Sequence, residues 1–89
     1  MSKVYIFFIY AENCNHCDQA LLNIETAVKK CSKIACEIMK FRYDTPSAVQ
    51  IAVNKGIDDL PGIVIGDKVF MKECGVENVI DAIKKASKK

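Results

Sequence analysis

Cys14 and Cys17 stand three positions apart in the stretch AENCNHC, with Asn15 and His16 between them. Two thiols at this spacing can hold a metal as soft ligands, or cycle between dithiol and disulfide and so carry two electrons. They can also be two small packed side chains and nothing more. The flanking pattern bears on the choice. A nearly unbroken apolar run over positions 4–10, including Val4, Ile6, Phe7, Phe8 and Ile9, has the character of a strand covered on both faces. From Cys17 onward Leu21, Ile24, Val28 and Cys31 recur at three or four residues, which predicts a helix opening at Cys17 after a loop over 11–16. A helix N-terminus carries unpaired N–H groups and partial positive charge, and both stabilise a thiolate, the species that attacks a disulfide. Cys14, just ahead of the helix, is the expected nucleophile. Cys17, in the first turn, is the expected resolving thiol.

His16 has two readings. As an imidazolium near Cys14 it is a candidate stabiliser of the thiolate; otherwise it is an exposed residue at a helix start. A structural zinc site asks for four ligands, often two CxxC pairs, and Cys31, Cys36 and Cys74 form no second pair. At the helical rise, Cys31 lies roughly 20 Å along the axis from Cys17. No metal and no other cofactor is expected. A metal-binding or metal-delivery protein using the CxxC pair, and a non-catalytic adaptor that only binds partners, stay open as competing functions.

The elements around the pair follow from pattern. A second strand is expected over 34–41. Thr45-Pro46-Ser47 starts a helix with Thr45 as N-cap, Val49, Ala52 and Val53 as its apolar face, and Gly56 past its end. The segment DDLPGIVIGDKVF predicts strands over 61–65 and 68–71 joined by a Gly66-Asp67 turn. A last helix is expected over 76–86, with Val76, Val79, Ile80 and Ile83 inward. This order makes an α/β domain spanning 1–89, with a four-stranded mixed sheet and helices on both faces. Its first crossover is expected to be right-handed. Phe7, Phe8, Phe41 and Phe70 read as core, as do Cys31 and Cys36. Cys74, in a loop, is either a packed thiol or an accessible redox group.

Composition narrows the classes further. The chain has 89 residues, 51% hydrophobic and 27% charged, with a formal net charge of +2. That balance describes a foldable chain, and the small charge gives no reason to expect nucleic acid. Lys84, Lys85, Lys88 and Lys89 read as a solvated helix end and tail. The apolar run near the start is too short to cross a bilayer and leads straight into the cysteine pair, so neither a membrane anchor nor a secretion leader is expected. Five cysteines fit poorly with a fully bridged secreted scaffold. The expected compartment is the cytoplasm.

Proline at the head of an apolar strand is unusual, because it donates no ladder hydrogen bond. Cys14-Asn15-His16-Cys17, Leu60-Pro61 and the element order βαβαββα together resemble the thioredoxin superfamily in its short, glutaredoxin-like form, over essentially the whole chain. The resemblance implies a cis Leu60–Pro61 bond beside the dithiol, with Leu60 offering its backbone to an extended client segment. It also implies a protein-disulfide reductase with Cys14 as nucleophile and Cys17 as resolver. From their positions, Tyr10 and Tyr43 either border the site, where an aromatic ring can pack on a peptide, or pack as ordinary surface or core residues. Departures are visible too. Asn15-His16 replaces the Gly-Pro of thioredoxins, the chain has no tryptophan, and Phe8 stands where the thioredoxin strand carries a buried aspartate. Met71-Lys72-Glu73-Cys74-Gly75 lacks the Gly-Gly that helps glutaredoxins hold glutathione. The expected partners are therefore disulfide-containing clients and a thioredoxin-reductase-type electron donor, ahead of glutathione, acting on a monomer.

Overall fold

In the computed structural model, which describes residues 3–88, the elements run β1 (Val4–Tyr10), α1 (Asn15–Lys30), β2 (Cys36–Arg42), α2 (Pro46–Lys55), β3 (Gly62–Ile65), β4 (Lys68–Met71) and α3 (Val76–Ser87). The tail residue Lys89 lies outside the described residues. The four strands form one sheet in the order β2-β1-β3-β4. β1 and β2 are parallel, while β1 with β3 and β3 with β4 are antiparallel. The sheet is mixed, as expected, and its most apolar strand lies inside it.

Strand alternation divides the side chains between two faces. On one face Val4, Ile6 and Phe8 of β1 join Ile63 and Ile65 of β3 in the main core. Against them pack Cys17, Ala20, Ile24 and Ala27 of α1 and Val79, Ala82 and Ile83 of α3. Ile6, Ile24, Ile63 and Ile83 are wholly buried. Burying each such side chain is worth about 1.5–3 kcal/mol relative to leaving it in water. The small residues Ala20 and Ala27 let α1 lie close to the sheet, and this holds its N-terminus at the C-terminal end of β1.

The second face is covered more thinly. Only α2 lies over it among the helices, and the sequence expectation for its buried side needs correction: Val49 and Val53 are 51% and 72% exposed. Ala48 is the buried residue, with Ile51 and Ala52 half-buried beside it. The helix is rotated so that its smallest side chain meets the sheet, and the two valines turn to solvent. Phe7 and Phe41, expected in the core, pair on this face with ring centroids 5.9 Å apart and remain partly exposed. Phe70 is also half-buried, and only Phe8 is fully enclosed.

Local chemistry explains the other shifts in boundaries. α1 starts at Asn15 rather than Cys17, because Cys14 itself serves as its N-cap. β2 starts at Cys36 rather than 34, because the Ile34 N–H is spent on the Cys31 carbonyl at 2.9 Å in a turn. α2 begins as expected: Thr45 Oγ1 accepts the Ala48 N–H at 3.3 Å, and Gly56 ends the helix at φ 68°. The Leu60–Pro61 bond is cis, and the β3 ladder starts only at Gly62. Gly62 is fully enclosed. A Cβ added there would lie 2.7 Å from Cγ2 of Ile57, so the approach of this loop to the strand requires glycine.

Candidate active site

Parallel pairing brings the C-terminal ends of β1 and β2 together, and Tyr10 is the partner of Arg42. Antiparallel pairing sets Ile9 opposite Gly62, and Gly62 opposite Met71. The loop carrying Cys14, the segment ending in Leu60-Pro61 and the loop after β4 therefore share one end of the sheet. No long-range sequence signal is needed for this. The strand directions alone assemble it.

Cys14 and Cys17 are joined as a disulfide with their Cα atoms 5.2 Å apart. Cys14 adopts the extended conformation of an N-cap, and its Sγ accepts the backbone N–H of Cys17 at 3.1 Å. This is the arrangement in which a sulfur gains most from the start of a helix, because an orphan donor points directly at it. The two cysteines differ in access. Cys14 is partly exposed, whereas Cys17 is 2% exposed and belongs to the core. Asn13, just before Cys14, has φ 55°, a left-handed conformation that asparagine tolerates better than most residues.

His16 is exposed at the mouth of a cleft of about 280 Å³, whose lining includes Gln19, Asn23, Lys72 and Glu73. Asn23 Nδ2 donates to the Cys74 carbonyl at 2.8 Å and ties α1 to the loop after β4. Cys74 itself is 3% exposed, with Sγ 3.8 Å from the Ala20 carbonyl. Burial pushes its thiol up to about 11. The accessible redox thiol considered for this position is thereby overturned: Cys74 is a packed residue. Cys31 is buried as expected, while Cys36 is only partly covered. The Cys36 thiol is raised, by burial first and by the neighbouring Cys31 second.

Leu60 is half-buried on the rim of a second groove, of about 400 Å³, shared with Ile9, Tyr43, Ala48 and Ile57. Its N–H is occupied, donating to Asp59 Oδ1 at 3.1 Å. Any extended segment pairing with this backbone would have to exchange that bond. Tyr10 is half-buried and stacks on Phe8 with centroids 6.1 Å apart. Tyr43 is 49% exposed, and its N–H donates to the Tyr10 carbonyl at 2.8 Å. Lys72 was not foreseen. At φ 68°, its N–H donates to the Pro61 carbonyl at 3.0 Å, and its ammonium lies 3.6 Å from Asp59. Nothing in the local sequence marks it, because both contacts depend on the hairpin bringing residue 72 beside residue 61.

A four-stranded mixed sheet in this order, with a CxxC pair opening the first helix and a cis proline ahead of β3, is the thioredoxin fold. No protein-family model matches the chain, and no curated protein matches it by sequence. Solved structures do. Chloroplastic thioredoxin z is similar at TM-score 0.71 and 15% identity, over 98% of this chain and 80% of that one. An uncharacterised thioredoxin-like protein from Clostridium perfringens gives TM-score 0.76 at 14% identity, over 97% and 72%. Oxidised thioredoxin from Plasmodium falciparum gives 0.63 at 18% identity, over 94% and 81%. At such identities the likeness establishes the fold. Among the described residues, no helix is long and apolar enough to cross a membrane.

Proposed function

We propose that the protein is a small thiol–disulfide oxidoreductase that reduces disulfides in client polypeptides. The observation that carries this reading is the asymmetry of the pair. One sulfur caps the helix and reaches solvent, and its partner is sealed in the first turn. In the reduced state the Cys14 thiolate attacks one sulfur of a client disulfide. That client bond breaks, a mixed disulfide forms, and the other client sulfur leaves as a thiolate. Cys17 then loses its proton and attacks Cys14 Sγ, expelling the second client thiolate. Two electrons have passed to the client, whose two thiolates take up, through solvent, one proton released by Cys17 and one more, and Cys14–Cys17 is left oxidised, the state of the pair in this structure. Phe8, buried in the same core as Cys17, supplies no carboxylate from β1 to take the Cys17 proton, which passes to solvent.

A reductase-type dithiol donor, ahead of glutathione, would restore the dithiol, and a reducing cytoplasm is the compartment in which the direction makes sense. Leu60, Pro61 and Tyr10 are the proposed client contacts and His16 a proposed helper of the thiolate. Cys17→Ser is expected to accumulate mixed disulfides with clients on non-reducing gels, whereas Cys14→Ser traps almost none. Equal trapping by the two variants would overturn the assigned roles. Insulin reduction supported by a dithiol donor but hardly by glutathione is expected of the unmodified protein.

A further inference from the structure

The two ends of the sheet carry opposite charge. At the dithiol end lie Glu12, Asp18, Asp44, Asp58, Asp59 and Glu73, all exposed, on the loops and first turns that the strand directions bring together. The cations there are already engaged. Arg42 is shared between Glu12 at 3.1 Å and Asp44 at 3.2 Å, and Lys72 faces Asp59. At the far end the balance reverses. Lys29 and Lys30 close α1, Lys55 closes α2, and Lys84 and Lys85 close α3, while Lys3, ahead of β1, pairs with Glu37 at 3.1 Å and Asp67 is the acid of the β3–β4 turn. The net charge of +2 thus hides a strongly polar molecule.

The helix N-termini at the dithiol end do not cancel this field. Their partial positive charge acts within about one turn, on groups such as Cys14 Sγ, and fades beyond it. Full carboxylate charges reach across a Debye length of about 10 Å at moderate salt, so they set what an approaching client meets. We infer that the dithiol selects disulfides embedded in cationic polypeptide segments, with lysine or arginine beside the cystine. This inference rests on the oxidoreductase reading above and names its substrate class. The same field disfavours glutathione, whose carboxylates give both its forms net negative charge.

The test uses two synthetic cyclic disulfide peptides, identical except that two lysines or two glutamates flank the cystine. Single-turnover oxidation of the pre-reduced protein is followed with each. At low salt the lysine peptide is expected to react about tenfold faster, the lower range of electrostatic steering. The gap should close at about 1 M salt, where the Debye length falls to about 3 Å. Asp58→Lys with Glu73→Lys should bring the rate ratio to one or below. At about 0.1 M salt, where the Debye length is about 10 Å, Lys84→Glu with Lys88→Glu, which shifts total charge equally far in the opposite direction at the other end, should leave it within about twofold. Equal rates at low salt, or a ratio that follows total charge regardless of location, would overturn the inference while leaving the oxidoreductase reading intact. If neither peptide is reduced, that reading fails and the inference falls with it.

Discussion

Cys14 caps the N-terminus of α1 and Cys31 its C-terminus. The same residue type therefore stands at both poles of one helix, with the sixteen residues of α1 between them. At the first pole a backbone donor points at sulfur, and the thiol reaches solvent. At the second, the backbone N–H of Cys31 is spent on the carbonyls of Ala27 and Val28, and the side chain is 6% exposed in the core. The carbonyl end of a helix offers sulfur no donors and carries negative partial charge. The difference teaches that cysteine chemistry here is assigned by helix polarity and access. Residue identity alone assigns nothing.

The largest effect expected from this contrast is on turnover. Cys14→Ser should lower disulfide reduction by more than about 10³-fold, the scale on which losing a covalent nucleophile acts. Cys31→Ser should leave the rate within about twofold, because the distant sites are independent. A comparable loss from both substitutions would break the contrast.

Next in size is thiol reactivity in the reduced protein. Iodoacetamide at pH 8 should modify Cys14 about a hundredfold faster than Cys74, since only the thiolate reacts. The Cys74 thiol lies at about 11 against an ordinary 9.0. Keeping Cys74 protonated is free below about pH 9, and stability is lost as pH rises from there through about 11. Peptide mass assignment against time checks the first point, and urea melts across this range check the second. Rapid modification of Cys74 in the folded state would contradict its burial.

Smaller effects concern stability at the second pole. Cys31→Ser places a hydroxyl in an apolar site and should cost about 1–3 kcal/mol. Lys29→Glu and Lys30→Glu, in the last turn of α1, should each cost about 0.3–1 kcal/mol through the helix dipole, an effect that salt weakens. Urea melts at low and high salt measure both, and a salt-independent loss for the lysine variants would point away from the dipole.

The readability of each element in the sequence follows the same physics. β1 and α1 were legible because a doubly covered strand and an amphipathic helix impose strong, local patterns, and the CxxC lies at their junction. Leu60-Pro61 was legible because proline breaks the strand pattern conspicuously. The buried side of α2 was misread because Ala48 carries a weak apolar signal beside Val49 and Val53, while the sheet selects for closeness over bulk. The half-open faces of Phe7 and Phe41 depend on how much of the sheet a ten-residue helix can cover, which no local pattern reports. The burial of Cys74 depends on α1 and the loop after β4 closing over it through Asn23. Lys72 belongs to the same class of contact, made between segments that only the folded hairpin brings together.

The enclosed Gly62 gives position 62 a role that chemistry at the cysteines does not reveal. The Ile57 methyl that a new Cβ would strike belongs to the branched carbon and not to a flexible tip, so relief must come from the backbone of the connection leading to Leu60. Gly56, six residues earlier, has open space around it and constrains only its own torsion. A methyl group at 62 would therefore behave as a shim, lifting the loop that carries Leu60 while the sulfurs stay where they are. Under the proposed function, a substitution at 62 would act on the Leu60-Pro61 side of the site and leave the sulfur pair itself untouched.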